Sequence, residues 1–165
     1  MNILFTGERE SGKSTFLHEL VPSLDIACGG VIALPFFRNG DKTGMDALDV
    51  ATGVTVPLAR VQGDGIPVGR YRLRRSGIRH ARQAVYRGSM TRQLTVVDEL
   101  GPLELRHAGL MHAACFALRH APYAVVVVRE RLADIVASAI QEDFCMVSSP
   151  GELASLLTSL NGRFA

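Results

Sequence analysis

Two stretches of the chain combine residue types and spacings that suit phosphate chemistry. The first is Gly7-Glu8-Arg9-Glu10-Ser11-Gly12-Lys13-Ser14-Thr15. Its two glycines bracket four residues, and a lysine and a hydroxyl residue follow at once, which satisfies the phosphate-loop pattern. In such a loop successive backbone N–H groups turn inward at the positive end of the next helix and form an anion nest. Lys13 then reaches the β- and γ-phosphates of a nucleoside triphosphate as a point charge, and the Ser14 hydroxyl ligates Mg²⁺. The chain has sixteen arginines and only two lysines, Lys13 and Lys42. A lysine in the loop is therefore there for its compact ammonium, which a planar guanidinium does not replace. The competing reading is a glycine turn that merely caps a helix. In the phosphate-loop reading Glu8 and Glu10 have to direct their carboxylates to solvent.

The second stretch is Leu94-Thr95-Val96-Val97-Asp98-Glu99. An apolar strand ending in acidic residues sets carboxylates at the carboxyl edge of a sheet, where α/β proteins bind ligands. Asp98 is placed to hold Mg²⁺ through a water, and Glu99 to polarise a water that attacks the γ-phosphate. Acidic strand ends are common, so this pair gains its meaning from the loop some eighty residues upstream. An exposed loop carboxylate is the alternative for Glu99.

The elements that must position these groups read as alternating strands and helices. Strands are expected at Asn2–Thr6, Gly30–Leu34, Tyr71–Leu73, Leu94–Val97, Tyr123–Val128 and Phe144–Val147. Met45–Val50 and Val54–Ala59 flank Ala51-Thr52-Gly53 and predict a hairpin. Helices are expected at Ser14–Leu20, Ser76–Arg87, Pro102–His120, Arg131–Ile140 and Gly151–Leu160, with Pro102 and Glu104 suited to a first turn. The whole predicts a three-layer α/β fold with a largely parallel sheet and a β-hairpin insertion, in a single domain over 1–165.

Composition narrows the class. Nearly half of the 165 residues are apolar and 21% are charged, which suits a packed interior. No apolar run is long enough to span a bilayer, and Met1–Thr6 lacks the basic and small-residue regions of a signal peptide, so a cytoplasmic protein is expected. Cys28, Cys115 and Cys145 are far apart and complete no zinc spacing; they read as reduced thiols. The net charge of +2 conceals nine arginines and one acidic residue, Asp64, between Arg60 and Arg92. On the helix in that stretch, Arg75, Arg79, Arg82 and Tyr86 share one face and Ile78, Ala81 and Val85 another. That pattern is either a solvated face opposite a core face or a positive rim that screens triphosphate charge or contacts a polyanion. Without interleaved aromatics, nucleic acid is the weaker of the polyanion partners.

Both motifs together resemble the nucleoside-triphosphatase family first described in thermophiles, to which the animal cancer-related nucleoside triphosphatase belongs. The resemblance rests on the loop from Thr6 to Thr15, on Gly29-Gly30-Val31 with the later Arg38, and on Gly44-Met45-Asp46 with Thr52-Gly53. Val68-Gly69-Arg70-Tyr71 and Asp98-Glu99-Leu100-Gly101-Pro102-Leu103-Glu104-Leu105 extend it. It implies a RecA-like core in which an extra strand separates the two motif strands. It implies also slow, Mg²⁺-dependent hydrolysis of ATP, GTP and other triphosphates with little base selectivity. Carried over residue by residue, Lys13 and Ser14 keep their roles, Asp98 binds metal, Glu99 is the base and Arg38 stabilises charge. The chain departs from the family at Arg9 and Glu10, where proline and glycine are usual, and at Arg129, where a histidine is expected. A kinase for a nucleotide or small hydroxyl compound and a nucleotide-dependent adaptor are the alternative functions. The adjacent Asp98-Glu99 pair argues for water as the acceptor and so for hydrolysis.

Overall fold

A computed structural model describes residues 1–8, 10–101 and 109–161, and for Glu99 the backbone alone. The first half of the chain gives β1 (Asn2–Gly7), α1 (Lys13–Leu20), β2 (Cys28–Arg38), β3 (Asp41–Asp49), β4 (Thr55–Arg60), β5 (Ile66–Val68) and β6 (Tyr71–Leu73). The second gives α2 (Arg75–Thr91), β7 (Leu94–Leu100), α3 (Met111–His120), β8 (Tyr123–Arg129), α4 (Ala133–Ala139), β9 (Cys145–Val147) and α5 (Pro150–Thr158).

The strands join in one sheet in the order β5-β6-β4-β3-β2-β7-β8-β1-β9. From β2 to β9 every neighbour is parallel, and from β2 to β5 every neighbour is antiparallel. The parallel half is buried on both sides, which explains its unbroken apolar runs: Ala124 to Val128 of β8 are each 0% exposed. One core, built on Ile3, Phe5, Val125 and Val127, is covered by Leu17 of α1 and by Leu153 and Leu157 of α5. The other, built on Leu4, Val97, Val126 and Val128, is covered by α2, α3 and α4. These are the three layers expected from the alternation of elements.

The insertion is larger than one hairpin. β2 runs on to Arg38 and turns at Asn39-Gly40, both with positive φ (51° and 84°), into β3. That backbone pair suits a tight strand connection with the native twist. The predicted β3–β4 hairpin follows, closed by Gly53 N–H on the Asp49 carbonyl at 2.8 Å and by Ala51 N–H on Asp49 Oδ1 at 3.0 Å. Arg87 of α2 pairs with the other oxygen of this buried carboxylate and pins the turn to the helix. The expected helix over Pro102–His120 is shorter: residues 102–108 lie outside those described, Gly109 and Leu110 form a bend, and α3 starts at Met111.

Helix α2 lies across the junction of the two halves with its backbone almost on the sheet. A Cβ on Gly88 would fall 2.6 Å from Gly30 N, and one on Gly77 would fall 2.4 Å from the Pro57 carbonyl oxygen. Glycine within a helix costs about 1 kcal/mol relative to alanine, and here it permits this close approach. On its two faces the helix divides as its sequence predicts. Ile78, Ala81, Ala84 and Val85 are buried, and Arg75, Arg79 and Tyr86 are exposed.

Candidate active site

Parallel strands put their carboxyl ends on one edge, and this edge gathers the residues singled out for chemistry. Gly7 at the end of β1 is in register with Arg129 at the end of β8, and Leu100 at the end of β7 is in register with Val128. β8 therefore lies between the strand leading into the glycine loop and the strand carrying Asp98 and Glu99. This is the inserted strand that the family resemblance implies.

The loop closes around Lys13. Its Nζ donates to the Gly7 carbonyl at 3.1 Å, to the Glu8 carbonyl at 2.5 Å and to Ser11 Oγ at 3.2 Å. Ser11 Oγ in turn donates to the Glu8 carbonyl at 2.8 Å. Although charged, Lys13 is 7% exposed, its ammonium fully provided with acceptors by the loop. Gly12 adopts φ 83°, which turns the chain into α1, and a Cβ on Gly7 would lie 3.3 Å from Lys13 Cδ, so a side chain there would crowd the lysine. The start of α1 has neither a side-chain cap nor an acidic residue in its first turn, so its dipole is uncompensated and suits an anion. Ser14, half-buried, is the second residue of that helix.

Glu10 does not simply face solvent. Its carboxylate lies 3.5 Å from Lys42 Nζ at the start of β3, and Arg70 Nη2 donates to the Lys42 carbonyl at 2.5 Å. The β2–β3 hairpin thus contacts the loop through Lys42, the second of the chain's two lysines. Sequence reasoning passed over Lys42. The signals that could have found it were the lysine scarcity itself and the Asn39-Gly40 turn, which marks a hairpin tip. Arg9 lies outside the described residues.

Asp98 is completely buried, with Oδ2 accepting the Ala33 N–H at 3.1 Å. The β2–β7 ladder ends at Val31 and Val97, and β7 shifts register between Val97 and Leu100. The carboxylate replaces the missing ladder acceptor, which fixes it at the sheet edge on the side of Val96 and Leu94, facing the α1 layer. Glu99 follows in the same strand; its side chain lies outside the described residues, as do Pro102 to Leu105. Arg38 ends β2, exposed, beside Arg60 and Arg74 rather than in the loop. Three arginines of the arginine-rich stretch serve the fold: Arg60 binds Asp46 at 2.6 Å, Arg87 binds Asp49, and Arg82 Nε donates to the Gly109 carbonyl at 2.9 Å.

A family model described as NTPase matches residues 2–148. The chain belongs to that family. It is 32% identical over 110 residues to the nucleoside-triphosphatase THEP1 of Methanothermobacter thermautotrophicus, an alignment spanning 64% of this chain and 63% of that relative. Of the first curated relatives it matches, the chain thus spans somewhat less than two thirds. Among solved structures, THEP1 from Aquifex aeolicus superposes with a TM-score of 0.72 at 17% identity, covering 95% of this chain and 99% of the other. A human cancer-related nucleoside triphosphatase gives 0.70 at 19% identity, covering 98% of each. These likenesses establish the P-loop NTPase fold read from the two motifs. No helix among the described residues is long and apolar enough to cross a membrane.

Proposed function

We propose that the chain is a Mg²⁺-dependent nucleoside triphosphatase that converts ATP, GTP and other triphosphates to diphosphate and phosphate with little base selectivity. The observation carrying this reading is the shared sheet edge: the Lys13 loop ends β1, and the buried Asp98 sits one intervening strand away. The loop residues Gly7, Glu8, Arg9, Glu10, Ser11, Gly12, Ser14 and Thr15 surround the phosphates, and Lys13 neutralises charge on the β- and γ-oxygens. The donors available to a cation are a serine hydroxyl and a carboxylate, hard oxygen ligands that fit Mg²⁺. Among the described residues no cluster of three or more His, Cys, Asp or Glu forms a cage. That is consistent with a metal held by Ser14, a water on Asp98 and the phosphates themselves. When bound, Mg²⁺ supplies charge stabilisation on the phosphoryl oxygens.

In this reading Glu99 accepts a proton from the attacking water, whose oxygen bonds to the γ-phosphorus as the bond to the β,γ-bridging oxygen breaks. Lys13 holds the γ-phosphate in line and supplies the positive charge beside it. The whole chain, 1–165, acts as one domain in the cytoplasm, with the nucleotide as its ligand and nucleic acid not favoured as a partner. The support for hydrolysis is family membership together with the motif pair. The test is phosphate release from a panel of triphosphates with Mg²⁺, for the native chain, Lys13→Ala and Glu99→Gln. Both variants lose turnover, and Glu99→Gln still binds nucleotide. Release unchanged in Glu99→Gln removes that residue as base. Phosphoryl transfer to an added nucleoside monophosphate outpacing phosphate release turns the enzyme into a kinase.

A further inference from the structure

A cleft of about 480 Å³ opens on the antiparallel wing between the ends of β2 and β4 and the start of α2. Arg38, Arg60 and Arg74 bring three guanidinium groups to its wall, together with Phe36, Thr43 and Gln62, and among the described residues no acidic one lines it. One of the three is fixed in place. Arg60 donates to Asp46 Oδ1 at 2.6 Å and to the Met45 and Ala59 carbonyls at 2.8 Å each, and its guanidinium lies 4.0 Å over the Phe36 ring. The other two retain unused capacity. Arg38 makes no hydrogen bond or ion pair to any described residue, and Arg74 Nε is buried without an acceptor. Thr43 Oγ1 on the facing strand is likewise buried and without a partner.

Buried donors without acceptors are uncommon in native structures and call for a physical reason. Here they share one cavity. Arg74 is also the N-cap of α2, a helix of 17 residues whose first turn has no acidic residue and whose N-cap makes no side-chain cap. The wall thus carries three positive side chains, one of them the N-cap of a helix, and Arg60 is paired with Asp46. Guanidinium groups with a hydroxyl opposite match the several acceptor oxygens of a phosphate group.

We infer that this cleft is a second anion site, distinct from the glycine loop, which takes the phosphate group of a small phosphorylated molecule. Its volume admits a ligand of nucleotide size. Its position makes it neighbour to the triphosphate: Thr43 directly follows Lys42, whose ammonium pairs with Glu10 of the loop. An occupant of the cleft therefore bears on the strand segment that contacts the loop, either as an acceptor or as an effector. The assignment does not depend on turnover, so it survives if hydrolysis is not found.

Inorganic pyrophosphate titrated calorimetrically onto the full chain carrying Lys13→Ala tests it, because that background weakens the loop site. The expected result is one remaining site, weakened at least tenfold by Arg38→Ala and again by Thr43→Val, with the circular dichroism and melting curves unchanged. Neither substitution removes a core contact, and Thr43→Val preserves side-chain shape. No binding in the Lys13→Ala chain overturns the inference, and so does binding that neither substitution alters. A second arm separates the sources of the phosphate. AMP and a 5′-phosphorylated ten-nucleotide single strand bind with similar affinity if the site is built for one small molecule. An oligonucleotide affinity that exceeds that of AMP more than tenfold makes the cleft part of a nucleic-acid groove and overturns the small-ligand assignment.

Discussion

Asp98 offers the sharpest separation between what supports the fold and what performs the chemistry, because two substitutions divide its roles. Asp98→Asn keeps an oxygen that can accept the Ala33 N–H, now held at 3.1 Å. Asp98→Ala leaves that buried donor without an acceptor, at about 1–3 kcal/mol. In a domain of this size each kcal/mol lowers the melting temperature by about 2–4 °C, so the alanine variant melts about 2–12 °C below the native chain. The asparagine variant exchanges a charged acceptor for a neutral one and stays within about 1 kcal/mol of the native chain. Both lose the charge that would hold a metal-bound water, and removing such an outer partner typically reduces metal affinity or activity about 10–100-fold. Urea unfolding with midpoint and slope measured separately gives the first quantity; phosphate release titrated with Mg²⁺ gives the second. If the two variants are equally stable, the carboxylate is not replacing a ladder acceptor. If Asp98→Asn hydrolyses like the native chain at low Mg²⁺, Asp98 has no part in the metal site.

Other perturbations follow from equally local geometry. Gly30→Ala places a Cβ 2.0 Å from the Val96 carbonyl oxygen at φ 97° and destabilises by at least about 3 kcal/mol. Gly40→Ala, at φ 84° but with nothing within 4 Å, costs only about 1–2 kcal/mol; chemical denaturation of both checks the contrast. Glu10→Gln removes a partly exposed ion pair with Lys42, worth about 0.2–1 kcal/mol, so folding stability barely moves. Because it also removes negative charge from the phosphate loop, it lowers KM for nucleotide at low ionic strength, and the gain vanishes near 1 M salt. Burial pushes the Cys28 thiol up to about 11 against the opposing pull of Arg92, and burial raises Cys115 as well. Iodoacetamide at pH 8 therefore labels the exposed Cys145 first, as mass spectrometry of the native chain will show. The unfolded Cys28 thiol ionises from about 9 upward while the native one stays protonated, so stability falls as pH rises from 9 towards 11. Cys28→Ser flattens that decline.

The parallel half was legible because its signals are local and strong. Val125 to Val128 can only be a buried strand, and the glycine loop announces the strand before it and the helix after it. The antiparallel wing was harder. Arg38-Asn39-Gly40-Asp41 is a strand connection, but the polar run from Arg38 to Lys42 hides that β2 and β3 continue to its edge. Their hydrogen-bonded partners lie on neighbouring strands and not in adjacent sequence. The same reason hid the Glu10–Lys42 contact and the arginine cleft, each assembled from residues tens of positions apart. Helical periodicity correctly separated the two faces of α2. It could not show that Arg82 and Arg87 bind a carbonyl and a carboxylate of the fold, because their partners Gly109 and Asp49 are distant in sequence. Nor could it show that Gly77 and Gly88 are contact points, since a glycine in a helix reads as a weakness until the strand beneath it is known.

The strand between the two motif strands has a consequence for how this site can change. Neighbouring strands lie about 4.8 Å apart, so the loop and the acidic pair are held roughly 10 Å from each other by a rigid spacer. Substitutions in the packed interior of β8 cannot adjust that gap without disrupting both cores. Its last residue is different. Arg129, half-buried and in register with Gly7, leaves the sheet between the two halves of the site. Variation confined to that one position can alter charge and shape midway between phosphate loop and carboxylates while the spacing stays constant. A sheet with the two motif strands adjacent would have no such adjustable midpoint.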